Sequence, residues 1–218
     1  MRARPVFVTG GTGYLGRALI DALLARDYSV HALVRPGSEA RLPPRAVPVA
    51  GDALDAASFV ALIPEQATVV HLVGTPHPSP SKAAEFQRVD LGSIRATASA
   101  AQRAGAGHVI YVSVAHPAPV MHAYVAARVQ GEALVAATGI PATILRPWYV
   151  LGPGHRWAML LLPVYALLRL LPATREAAVR LGLVTQAQMT AALLDAIANP
   201  PDAGMRIVEV PAIRCAGP

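Results

Sequence analysis

Cysteine, lysine and acidic side chains are all scarce in this 218-residue chain. A single cysteine, Cys215, excludes an internal disulfide and a thiolate metal cluster, and it suits a reducing cytoplasm. Lysine is equally rare: Lys82 stands alone, and the other eighteen of the nineteen cations are arginine. With only thirteen acids the formal net charge is +6, yet no four bases run together. That scatter, with aromatics at 5%, gives no basic tract or aromatic motif for nucleic acid, so none is expected as a partner. The seven histidines have no paired spacing that would ligate a metal. The opening residues MRARPVFVTG contain neither an apolar signal region nor a small-residue cleavage site, which leads to an expectation of a cytoplasmic protein.

A membrane-spanning run is also missing. The longest apolar stretch, Trp157 to Leu171, would cover about 20 to 25 Å as a helix, short of a hydrocarbon core of about 30 Å. Pro163 interrupts it. Arg156, Arg169 and Arg175 flank the stretch, leaving three readings open: a buried or dimer-forming helix, a lid over an apolar pocket, or a surface for a membrane or protein partner across residues 156–175.

What is present is a rich supply of core. Hydrophobic residues make up 54% of the chain against 15% charged, enough for one well-buried domain. Apolar runs predict strands over 5–9, 29–34, 46–50, 68–73, 108–113, 142–146 and 206–210. Helical spacing lies between them, over 14–26, 56–62, 83–104, 122–137 and 186–198. Strands that alternate with helices require crossovers, so the expected fold is a doubly wound parallel α/β sheet, with a small C-terminal helical extension over 155–205 in the same domain.

The first strand runs into TGGTGYLG, which places Gly10, Gly13 and Gly16 between a strand and a helix. Glycines there let the turn tighten and let a pyrophosphate approach free amides at the positive helix end. At the end of the second strand stands Arg35, with Arg41 nearby and no acid, where a cation accommodates a 2′-phosphate and an acid would bind a free ribose hydroxyl. NADP(H) is therefore the expected cofactor, with NAD(H) as the alternative. A solvated loop arginine is the other reading of Arg35. Asp52 in GDALD suits either the adenine or the cap of a following helix.

TGGTGYLG, Arg35 in ALVR, Gly51-Asp52, YVSV around Ser113, YVAARVQGE from Tyr124 and LRPWYVLGPG from Leu145 follow one another in a recognisable order. In that order the chain resembles the short-chain dehydrogenase/reductases, a Rossmann-fold superfamily, and within it the atypical branch that includes NmrA-like regulators and the nucleotide-binding accessory subunit of respiratory complex I. The resemblance implies that Ser113 orients a substrate carbonyl, that Tyr124 transfers the proton, and that Arg128 takes the place of the family lysine as cation and ribose contact. It further implies that Thr12, Tyr14, Leu15, Val73, Gly74 and Pro147 border the dinucleotide.

Two departures stand out. Arg128 keeps the charge of the family lysine in a longer, planar fork, and Asp90 in QRVDLGSI replaces a usual asparagine. His116 and His122 offer alternative protons near the tyrosine, and Arg146-Pro147 and Gly152-Pro153-Gly154 are expected near nicotinamide and substrate. The leading expectation is an NAD(P)H-dependent oxidoreductase acting on a small apolar carbonyl or quinone-like compound. A non-catalytic NADP(H) sensor or accessory subunit is the alternative, and an isomerase or epimerase comes third. Whether the protein is a monomer or a homodimer is open at this stage.

Overall fold

The computed structural model describes residues 4–152 and 172–216. Seven parallel strands form one sheet: β1 (Val6–Thr9), β2 (Val30–Val34), β3 (Val47–Ala50), β4 (Thr68–His71), β5 (His108–Val112), β6 (Ala142–Arg146) and, after two intervening short strands, β9 (Met205–Glu209). Their order across the sheet is β3-β2-β1-β4-β5-β6-β9. The chain moves outward from β1 to one edge, then returns past β1 to build the other half. That reversal opens a crevice at the carboxyl ends of β1 and β4, the place where such sheets bind ligands.

Alternation along the central strands divides the core in two. Val6 and Val8 of β1 face one layer and Phe7 the other, all without exposed surface. In the first layer α1 (Tyr14–Leu24) packs Leu19 and Leu23 beside Met189 and Leu193 of α6 (Gln186–Ala198), and α7 (Val210–Cys215) adds Ile213. In the second layer α3 (Gly92–Arg103) and α4 (His122–Ala137) cover Phe7, Val69 and Tyr111. Side chains of this size contribute about 1.5–3 kcal/mol each when fully buried, which explains why the central strands read as nearly continuous apolar runs.

The exceptions have local causes. β3 exposes all but Val49, because it is an edge strand paired only with β2, and the edge also accommodates Pro48, which lacks an amide donor. The helix expected over 56–62 is two 3₁₀ turns, Ala56–Ser58 and Val60–Leu62, the first capped by the Asp55 carboxylate accepting from the Ala57 amide. The segment expected as one helix over 83–104 is composite. It runs through α2 (Ala83–Glu85), a π-helical stretch Phe86–Leu91, and α3. Wider winding of that kind re-aims side chains, and such stretches gather at functional sites.

Two strands were not legible beforehand. β7 (Tyr149–Leu151) and β8 (Leu183–Thr185) pair in parallel as a separate small sheet. The C-terminal part is therefore not purely helical: α5 (Pro172–Arg180) leads into β8, and Thr185 then begins α6 with a reciprocal cap, its hydroxyl accepting from the Gln188 amide. The apolar stretch Trp157 to Leu171 lies outside the described residues, as do Pro153, Gly154 and Arg156. No described helix is long and apolar enough to cross a membrane.

Candidate functional site

The glycine turn joins β1 to α1. Gly10 has φ +75°, and a methyl there would press on the Leu72 backbone carbonyl carbon at 2.8 Å. A methyl on Gly16 would collide with the Gly10 carbonyl oxygen. Both positions thus need glycine for close backbone approach, and Gly10 needs it for its left-handed conformation as well. Gly13 begins the helix without a side-chain cap, and no acid occupies its first turn, an arrangement that suits an incoming anion.

Two adjoining cavities open at the carboxyl edge of the sheet, sharing Leu72 and Pro76. The larger, about 490 Å³, is walled by Gly10, Thr12 and Gly13 of the turn, by Arg35 after β2, by Asp52 after β3, and by Val73 and Gly74 after β4. Arg35 and Asp52 are exposed there, and Asp52 also accepts from the Leu54 amide at 2.9 Å, so it orders its own turn and does not cap the 3₁₀ segment. Arg41 is exposed at the end of a 3₁₀ turn, Glu39–Arg41. The smaller cavity, about 260 Å³, receives Tyr14 and Leu15 of α1, Ser113 after β5, Tyr124 and Arg128 of α4, and Pro147 after β6. Gly16 sits beneath the turn as packing. This cradle, with an uncapped helix start beside one cavity and hydroxyls in the next, is a place that could hold an elongated dinucleotide.

Tyr124, Arg128 and Glu132 recur every four residues along α4, so they share the helix face turned to the sheet. Tyr124 packs on Phe86 of the π-helical stretch with ring centroids 5.0 Å apart. The Arg128 guanidinium lies 5.2 Å from the centre of the Tyr124 ring and 5.8 Å from that of Tyr111, close enough for cation–π attraction. Its Nη2 donates to Asp90 Oδ1 at 2.6 Å, and its Nη1 to the Val112 carbonyl at 2.9 Å. Asp90 is fully buried, and its other oxygen accepts from the Thr75 hydroxyl at 2.6 Å and the Thr75 amide at 3.1 Å. Burial works against the charge on Arg128, but the facing Tyr124, Tyr111 and Asp90 outweigh it and move its pKa up. Burial likewise pushes the Tyr111 phenol up to about 12, with Arg128 pulling the other way.

Ser113 belongs to a second polar cluster. Its hydroxyl donates to Glu132 Oε1 at 2.5 Å, and Arg146 grips the same carboxylate through Nε at 3.0 Å and Nη2 at 2.6 Å. Arg146 also donates to Glu209 Oε1 at 3.1 Å. The bonds that Arg146 donates to Glu132 raise its pKa against a smaller opposing effect of burial. His116 Nε2 stands 3.6 Å from Glu132, while His122 is exposed at the start of α4. Glu132 and Thr75 were not foreseen as site residues. The signal for Glu132 was available, since an acid one turn beyond Arg128 on the same face must be buried with it. Among the described residues no cluster of three or more His, Cys, Asp or Glu is disposed to hold a metal ion.

A cleft of this form at the switch point of a parallel sheet defines a nucleotide-binding protein of the Rossmann type. The family model described as NAD(P)H-binding matches residues 10–156, and the chain belongs to that family. It is 32% identical over 151 residues to a ceramide reductase of Caulobacter vibrioides, covering 68% of this chain and 47% of that protein. It is 30% identical over 181 residues to a 3-diazoavenalumate denitrifying reductase of a Streptomyces species, covering 70% of this chain and 58% of that protein. The chain thus spans about half the length of these curated relatives. In fold it is similar to a short-chain dehydrogenase/reductase superfamily protein from Agrobacterium tumefaciens with bound NAD, at TM-score 0.69 and 18% identity, covering 94% of this chain and 77% of that one. The Bordetella bronchiseptica enzyme WbmH in complex with NAD+ gives TM-score 0.68 at 19% identity, with 94% and 75% covered.

Proposed function

We propose that this chain is an NAD(P)H-dependent reductase of a small, largely apolar carbonyl or quinone-like compound, with NADP(H) the preferred cofactor. The observation that carries the reading is the 260 Å³ cavity, in which Ser113 and Tyr124 face a mostly apolar wall that includes Leu72, Val114 and Trp148, directly beside the nucleotide cleft. When bound, the nicotinamide supplies the hydride. Tyr124 would give its phenolic proton to the carbonyl oxygen, and the Arg128 cation, 5.2 Å from the ring, would stabilise the phenolate left behind. Ser113 fixes the substrate beside Tyr124. Arg35 supports the choice of NADP(H), since it is exposed beside the cleft after β2 and its guanidinium fork suits a phosphate. The names of the two reductase relatives support the reaction class, while their substrates remain their own.

The test is NADPH oxidation with a panel of ketones, aldehydes and quinones. Tyr124→Phe lowers kcat by about 10²- to 10⁴-fold with nucleotide binding retained. Unchanged turnover in that variant would remove Tyr124 as the acid. One observation favours a second reading, a nucleotide-state sensor without turnover: two side chains beside the cavity already bond to internal carboxylates, Arg128 to Asp90 and Ser113 to Glu132. That reading expects nucleotide binding indifferent to Tyr124→Phe and no carbonyl reduced.

A further inference from the structure

The π-helical stretch Phe86–Leu91 has a buried side and an open one. Phe86 packs on Tyr124, and the Asp90 carboxylate is held by Arg128 and Thr75, so the backbone between them is fixed. Arg88 and Val89 stand on the open side and border the 490 Å³ cleft together with Leu54, Asp52 and Arg35. Leu54 links the loop after β3 to this stretch, since a methyl added to Gly92 at the start of α3 would lie 3.4 Å from its Cδ2. The two acids of the cleft are engaged within the chain: Glu85 lies 3.8 Å from Lys82, and Asp52 accepts from the Leu54 amide at 2.9 Å. Arg88 is exposed and, like Arg35, has no hydrogen bond, ion pair or ring partner among the described residues. Arg41, the other cation close to Arg35 in sequence, does not border the cleft.

We infer that Arg88 is a second specificity-determining cation of this cleft, acting with Arg35 on the phosphate that distinguishes NADP(H) from NAD(H). The inference rests on the NADP(H) reading above and deepens it. A phosphate monoester offers three acceptor oxygens and nearly two negative charges at neutral pH. One guanidinium fork spans two of those oxygens and leaves charge for another cation to meet. A cleft of about 490 Å³ is the size of a single small-ligand site, so an anion bound by Arg35 lies in the field of Arg88 as well. The low-dielectric walls strengthen that attraction over its value in open water. NADH carries no phosphate at the 2′ position, so its binding draws little on either arginine.

The experiment is calorimetric titration of the full chain with NADPH and with NADH, in the wild type, Arg88→Ser, Arg35→Ser and the double variant. Arg88 has no partner to strand among the described residues, so its variants should fold as the wild type does. Arg88→Ser should weaken NADPH by about 10-fold and change NADH by less than about 3-fold. The double variant should bind the two cofactors almost equally. Arg88→Lys, which keeps the charge without the fork, should retain most of the preference. If Arg35→Ser abolishes the preference while Arg88→Ser leaves it at the wild-type value, the inference fails and the NADP(H) reading stands. A wild-type chain that binds both cofactors equally overturns that reading and the inference with it. Equal weakening of both cofactors in Arg88→Ser, the mark of a guanidinium lying on the adenine, overturns the inference alone.

Discussion

Asp90 and Arg128 meet in a fully buried 2.6 Å ion pair, and the space for their contact exists because residue 74 is glycine: a methyl there would collide with the Arg128 guanidinium. Removing one partner of such a pair strands the other. Asp90→Ala should lower the unfolding free energy by about 3–5 kcal/mol, whereas Asp90→Ala combined with Arg128→Met should lose far less, since an apolar replacement has no charge to leave unmatched. Gly74→Ala should cost about 1–3 kcal/mol alone and close to nothing beside Arg128→Met. Urea unfolding of these four variants and of Arg128→Met alone checks all of this, and additive losses would show that the two side chains do not act as a unit.

The glycine turn makes its own prediction. A methyl on Gly16 meets the Gly10 carbonyl oxygen, a backbone atom that cannot rotate aside. Gly16→Ala should therefore weaken both nicotinamide cofactors by about 10²-fold or more in calorimetry, as the amides at the start of α1 lose their alignment. Wild-type affinity in a folded variant would place the pyrophosphate elsewhere.

Arg35 is exposed on the wall of the larger cavity. A charge-assisted contact is worth about 1.5–3 kcal/mol, so Arg35→Ser should weaken NADPH by about 10- to 100-fold and leave NADH nearly unchanged. A parallel loss of both would give Arg35 a role unrelated to the 2′-phosphate.

Two buried histidines contribute to the acid response of stability. His71 is fully buried between Thr9 and Thr97, and burial, aided by Arg128, lowers its pKa from 6.5 to about 3. His108 donates to or accepts from Thr143 at 3.0 Å, and burial with Arg206 and Arg4 lowers it from 6.5 to about 4. Below the ordinary value the unfolded chain takes up protons that the native state refuses, so stability falls as pH drops from 6.5 toward 4 and is unaffected by these groups above 7. Each contributes a slope of about 1.4 kcal/mol per pH unit, and His108→Gln should halve the combined slope measured by urea unfolding between pH 6.5 and 4.5. An unchanged slope would mean that His108 is protonated in the folded protein.

The sequence carried the parallel sheet because its information is local: apolar runs of strand length, helical spacing between them, and a glycine turn where the first strand meets the first helix. It misjudged what depends on neighbours. β7 and β8 are three residues each, too short for a periodic signal, and exist only because they pair with one another. β3 was read simply as a strand, and its edge position, which Pro48 suits because it offers no amide to a further neighbour, came from the structure. The π-helical stretch has no pattern of its own, yet it aims Asp90 at Arg128 and Phe86 at Tyr124.

The candidate site divides the same way. Residue types at set distances along the chain determined which groups could meet: glycines before a helix, a tyrosine and a cation one turn apart, a serine ending a strand. Only the tertiary structure decided where their hydrogen bonds go. Arg128 closes on an acid thirty-eight residues earlier and Ser113 on one nineteen residues later. Partners so far apart in sequence are chosen by packing, and in a buried site the partner fixes whether a group gives a proton or receives one.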